Sequence, residues 1–160
     1  MLALMLLAAA TASPAPEPKG TAVAASAAVI INSGSTNTAP YKIVVTPDGT
    51  ARIQMQAVDT VTKTLSEATV KSFFSDIRAA MPLDAINMQP CMKSASFGTS
   101  TFVRFEAKQT PDLQCASGSA AERLSADVEK ITAELGVNAL RSFGAHPVHA
   151  LQGPTPKPSA

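Results

Sequence analysis

The chain alternates, then switches period, then alternates again. Val29 to Asn32 is a short apolar run, and the polar stretch Ser33 to Thr38 separates it from Tyr41-Lys42-Ile43-Val44-Val45, rich in β-branched and aromatic residues. Pro47-Asp48-Gly49 marks a turn, because Pro fixes φ, Asp bonds its own backbone and Gly accepts positive φ. The next run, Arg52-Ile53-Gln54-Met55-Gln56, alternates strictly polar and apolar, which predicts a hairpin with one wet face.

From Ser66, a predicted N-cap, the apolar residues fall at Val70, Phe73, Phe74, Ile77 and Met81, the spacing of one helical face, and Pro82 ends the run. A second helix is predicted from about Ala120 to Leu135, with Leu124, Val128, Ile131 and Leu135 on one stripe and Gly136 as its C-terminal cap. Between the helices, Met92 to Phe97 and Thr99 to Ala107 read as strands flanking Gly98, a predicted tight turn or bulge. In the second run Thr101, Val103 and Phe105 share one side, and Phe102, Arg104 and Glu106 the other. Pro111-Asp112 marks the exit turn, and Leu113 is read as opening a short edge segment. The order strands, helix, strands, helix predicts an α+β fold: an antiparallel sheet of four to five strands with two helices packed on one face.

The ends read differently. Met1 to Ala12 is an apolar run of signal-segment length closing on Ala10-Thr11-Ala12, a small-x-small cleavage pattern, which predicts export. It is too short for a bilayer span, which takes about 20 residues, so no lasting membrane anchor is predicted. No Lys or Arg precedes the run, so either the start lies upstream or the signal is atypical; a buried N-terminal helix is the alternative reading. Residues 13–27 read as an Ala- and Pro-rich spacer, and residues 144–160 as a Pro-rich tail. Every aromatic lies between these flanks, which sets one domain at 28–143.

At 160 residues there is room for one domain. With 46% apolar and only 4% aromatic residues, its core must be small. A net charge of +1 gives none of the basic excess that nucleic-acid binding needs, so no nucleic-acid partner is predicted.

Candidate chemistry is sparse. Cys91 and Cys115, the only cysteines, predict a disulfide in an exported chain. It closes a loop of about 25 residues, worth about 3 to 4 kcal/mol by chain entropy. A redox dithiol would use a C-x-x-C pair, and zinc needs three or four ligands. His146 and His149 lie in the tail, with Pro147 breaking any helix between them and no acidic partner nearby; no metal or cofactor is predicted. The domain itself has no histidine to serve as a general base. Asp48, Asp59, Asp76, Asp84, Glu106 and Asp112 remain as carboxylates that an enzyme reading requires to converge, although their spacing points instead to turns and a wet helix face. No phosphate-binding loop, nucleophile elbow or EF-hand pattern is present.

Two polar segments are candidate surfaces. Asn32 to Thr38 is small and uncharged, suited to connecting strands or to hydrogen-bonding a sugar or peptide. The stretch from Lys93 to Thr101 sets hydroxyls around an aromatic and a glycine beside the cysteine, and Lys93, Ser94, Ser96, Phe97, Thr99 and Ser100 are the candidate contact residues.

The hairpin Tyr41-x-Ile43-x-Val45-x-x-Asp48-Gly49, the following amphipathic helix, the Cys near a second strand pair, Pro111-Asp112-Leu113-x-Cys115 and the closing helix together resemble small exported bacterial α+β domains of unknown function, over about 28–137. The resemblance implies an envelope-located domain and carries over no functional residue. The leading expectation is a non-enzymatic binding domain with an envelope protein or peptide as partner; the rivals are a secreted inhibitor of a hydrolase such as a lysozyme or protease, and a carboxylate-dependent enzyme.

Overall fold

The computed structural model of the chain describes residues 26–144 except 57 and 95, with the side chains of 142–144 left out. The predicted signal segment 1–12, all but the last two residues of the predicted spacer 13–27, and all but the first residue of the predicted tail 144–160, with both histidines, lie outside the described residues.

The fold is α+β. Six antiparallel strands, β1 (Ala28–Asn32), β2 (Tyr41–Val45), β3 (Thr50–Met55), β4 (Val58–Thr64), β5 (Thr101–Phe105) and β6 (Lys108–Gln109), form one sheet in the order β4-β3-β2-β1-β5-β6. The helices are α1 (Glu67–Ala79), α2 (Ser119–Glu134) and α3 (Val137–Gly144). Ala28, Ile30, Ile43, Val45, Ala51, Ile53, Val103 and Phe105 on one sheet face share a single core with Phe73, Phe74 and Ile77 of α1 and Leu124, Val128 and Ile131 of α2. Among the described residues, no member of that core lies on the opposite sheet face.

Local chemistry explains the elements. In the β2–β3 turn Asp48 Oδ1 accepts from Thr46 Oγ1 and the Thr50 N–H, while Gly49 adopts φ +89°, a region that strains other residues. Ser66 caps α1 as the spacing predicts, its hydroxyl accepting from the Thr69 N–H. Glu134 reaches across from α2 to accept from the Ser66 N–H and the Thr69 hydroxyl, so one carboxylate fastens the two helix ends together.

Four expectations are corrected. The sheet has six strands rather than four to five, because β4 and β6 were not foreseen. In β4 the register with β3 shifts between Ile53 and Met55, which breaks the two-residue alternation that marks a strand. The β5–β6 turn is made by Glu106 (φ 47°) and Ala107 (φ 63°), a left-handed pair built without the Asn-Gly signal such turns usually show. The described residues of Met92 to Phe97 form no strand, and Leu113 lies in a turn with its side chain buried. The third helix follows α2 at once: Gly136 at φ +66° reverses the chain, and Val137 is then buried in the same core. Arg141 holds α3 down, donating to the Ala39 carbonyl and Asn32 Oδ1 with its guanidinium 5.1 Å from the Tyr41 ring centre.

Candidate functional site

The long connection from α1 to β5 carries the candidate contact surface. After α1 the chain makes a short 3₁₀ turn, Leu83–Ala85, anchored by the fully buried Leu83, and then runs beside residues 112–117. The Ser117 N–H donates to the Asn87 carbonyl, the Gln89 N–H to the Cys115 carbonyl, and Met88 bridges Ala116. Cys91 and Cys115 stand at disulfide distance and are joined, with Cα atoms 5.5 Å apart.

Beyond the cysteine, polar bonds replace packing. Lys93 pairs with Asp112 and also donates to the Thr99 carbonyl (2.7 Å) and Ser100 Oγ (3.0 Å). Asp112 in turn accepts from the Thr101 and Gln114 N–H groups. Burial opposes ionisation of Asp112, but hydrogen bonds from Lys93, Ser100, Thr101 and Gln114 outweigh it and hold the carboxyl below its ordinary range. Between Ser94 and Gly98 the chain closes a turn: the Gly98 N–H donates to the Ser94 carbonyl (2.7 Å) and the Phe97 N–H to the Ser94 hydroxyl. A Cβ at Gly98 would stand 2.5 Å from that carbonyl oxygen, so only glycine fits.

A second set of bonds ties this turn to the β1–β2 loop. The Ser96 carbonyl accepts from the Asn37 N–H and the Ser35 hydroxyl, and Ser33 and Ser100 exchange bonds. Asn32, buried at the end of β1, donates to Thr99 and Thr101 while its Oδ1 accepts from the Gly34 N–H and Arg141. The two polar loops singled out in the sequence are therefore one assembly. Their hydroxyls face each other as much as they face water.

That assembly divides the six candidate residues. Ser94, Ser96 and Phe97 are exposed, whereas Lys93, Thr99 and Ser100 are half-buried struts whose polar groups are already engaged. Missed in the sequence reading were two methionines: Met88 is 65% exposed and Met92 fully so, beside Phe97 at 69%. Among the described residues every large apolar side chain exposed to this degree, with Met81 as the fourth, lies between 81 and 97. A methionine carries no periodic signal when its segment has no regular structure.

Carboxylates are spread over separate elements. Asp48 serves its turn, Asp76 pairs with Arg123, Asp84 with Lys108, and Asp112 with Lys93. Asp127 on α2 is buried between the helices; it accepts from the Ser72 hydroxyl at 3.0 Å, while its second oxygen has no hydrogen-bond partner. Burial first, and then the neighbouring Asp76 carboxylate, raise its pKa, with Ser72 opposing. An open cleft of about 290 Å³ lies beside the connection, between the end of α1 and the start of α2, lined in part by Met81, Pro82, Ile86, Asn87, Ser117 and Ser119. Among the described residues no three His, Cys, Asp or Glu side chains gather as metal ligands, and no helix is long and apolar enough to cross a membrane. No family model matches the chain, and neither does any curated protein or solved structure.

Proposed function

We propose that the chain is an exported binding domain of a bacterial cell envelope, and that it engages a protein partner through the turn at Ser94–Gly98 and the neighbouring Met88 and Met92. One observation carries this reading: the segment that exposes Phe97 and Met92 is the same one held by a disulfide, a lysine-aspartate pair and bonds to a second loop. Leaving large apolar groups in water is unfavourable. Holding them rigid lowers the entropy lost when a partner covers them. The chemistry suits a partner with an apolar pocket for Phe97, rimmed by groups that hydrogen-bond Ser94 and Ser96. The signal-like segment 1–12 and the joined cysteines support an oxidising, exported setting.

The same rigidity favours a narrower second reading, in which the turn enters the active-site cleft of a lysozyme or protease as an inhibitor. A photoreactive residue at Phe97 in the full chain, crosslinked in host envelope extract, identifies the partner, which is then purified and titrated calorimetrically. Phe97→Ala is expected to weaken binding about 30-fold, the effect of losing a central anchor. Met92→Ala weakens it less. Equal affinity of the wild type and both variants for the purified partner overturns the proposal, and loss of the partner's hydrolase activity on binding selects the inhibitor reading.

A further inference from the structure

The face of the sheet opposite the helices has a composition that the core does not need. Strand pairing aligns its side chains in two rows. The first runs Arg104, Val29, Val44, Arg52 across β5, β1, β2 and β3, and the second runs Phe102, Ile31, Lys42, Gln54 across the same strands. The aliphatic and aromatic members are half-buried, and Arg104, Arg52 and Lys42 stand exposed around them. At about 4.8 Å between strands, the two arginines stand about 14 Å apart, with the valines between them.

Charge is lopsided on this face. Neither row contains a carboxylate, and the ion pairs of the described residues, Lys93–Asp112, Lys108–Asp84 and Arg123–Asp76, use none of its three cations. Among the described residues the side-chain partner of Arg104 is the neutral Gln109. The chain's net charge of +1 does not reveal this grouping, which strand register creates by setting Arg104, Arg52 and Lys42 in rows free of carboxylates.

We propose that this open face docks an acidic protein segment whose carboxylates meet Arg52, Arg104 and Lys42 while its aliphatic side chains cover Val29, Val44 and Ile31. Arginine is suited to the role, since its planar fork binds carboxylates in a bidentate manner. A lipid surface fits less well, because the apolar residues are recessed between taller cations and none projects to enter a bilayer. The surface is separate from the Phe97 turn and stands or falls without it.

The test pans a random peptide library displayed on phage against the full chain, then titrates recovered peptides into the ¹⁵N-labelled protein. Peptides rich in Asp and Glu around aliphatic residues are expected, shifting the amides of Val29, Ile31, Val44 and Phe102. Their affinity should fall steeply as ionic strength rises from about 0.01 M to about 1 M, over which the screening length contracts from about 30 Å to about 3 Å. Lys42→Glu/Arg52→Glu/Arg104→Glu should weaken binding at least about tenfold, as reversing complementary charge does; Phe97→Ala should leave it unchanged. If the triple variant fails to fold, Arg52→Gln and the salt series on the wild type carry the same information. Recovered peptides without acidic bias, shifts confined to residues 88–100, or binding of phosphatidylglycerol vesicles in place of the acidic peptides each overturn the proposal.

Discussion

Helix α1 and the connection that follows it stand side by side in the chain and are held by opposite means. Over Glu67–Ala79 the helix is fixed by Val70, Phe73, Phe74 and Ile77, all buried, with the Phe73 and Phe74 rings edge to face at 5.7 Å. From Asn87 to Ser100 no large side chain among the described residues is buried, and the segment is fixed by a disulfide, a Lys93–Asp112 pair and hydrogen bonds to residues 115–117 and 33–37. Apolar burial consumes the side chains that produce it. Covalent and polar fastening leaves side chains free, which is why the exposed Met88, Met92 and Phe97 occur in the second region and not in the first.

The sharpest way to break this comparison is to weaken each region separately. Phe73→Ala empties the centre of the core and is expected to cost about 3 to 5 kcal/mol of global stability, measured by urea unfolding. If the loss is below about 1 kcal/mol, α1 is not held by this packing. Cys91→Ser/Cys115→Ser is expected to cost about 3 kcal/mol by releasing a loop whose ends are 24 residues apart. In that variant the amides of 87–100 should exchange faster with solvent while those of α1 and β1–β3 keep their protection relative to global unfolding. Uniform loss of protection would show that the connection belongs to the core after all.

The smallest effect sharpens the comparison within the core itself. Asp127 is a buried carboxyl with an unpartnered oxygen, and its raised pKa means that its contribution to stability is complete below the ordinary carboxylate value and is lost as pH rises through the folded value. Asp127→Asn keeps the acceptor for Ser72 and removes the buried charge. It should stabilise the protein by about 1 kcal/mol at neutral pH, by progressively less as pH falls through the raised folded value, and no longer below about 4, read from thermal unfolding across pH. Asp112 runs the other way: its lowered pKa makes the stability it contributes present above the ordinary value and lost as pH falls through the folded one. Acid should therefore loosen the Lys93 strut.

Much of the helix and hairpin framework was legible because periodicity and caps are local signals. The predicted cap at Ser66, the stripe through Phe73 and Ile77, the Asp48-Gly49 turn, the Gly136 reversal and the inward set Thr101, Val103 and Phe105 all stand as the spacing implies. The strands β4 and β6 were not legible, since a register shift hides the first and a Glu-Ala turn announces nothing for the second. In the candidate surface, Phe97 and Gly98 could be singled out by residue type. The role of Lys93 as a strut could not, because its partner Asp112 lies 19 residues away and no local pattern links the two.

By itself, then, the sequence determined an α+β chain with two amphipathic helices, a cysteine pair bracketing the second strand region and a hydroxyl-rich turn. Each of these is encoded by spacing within a few residues or by residue chemistry alone. Only the tertiary structure decided that the two polar loops close on each other, that the methionines are exposed among the described residues and that Arg52, Arg104 and Lys42 share the sheet face opposite the helices. Those are relations between distant strands and loops, set by register and by long-range pairing, and no local period records them.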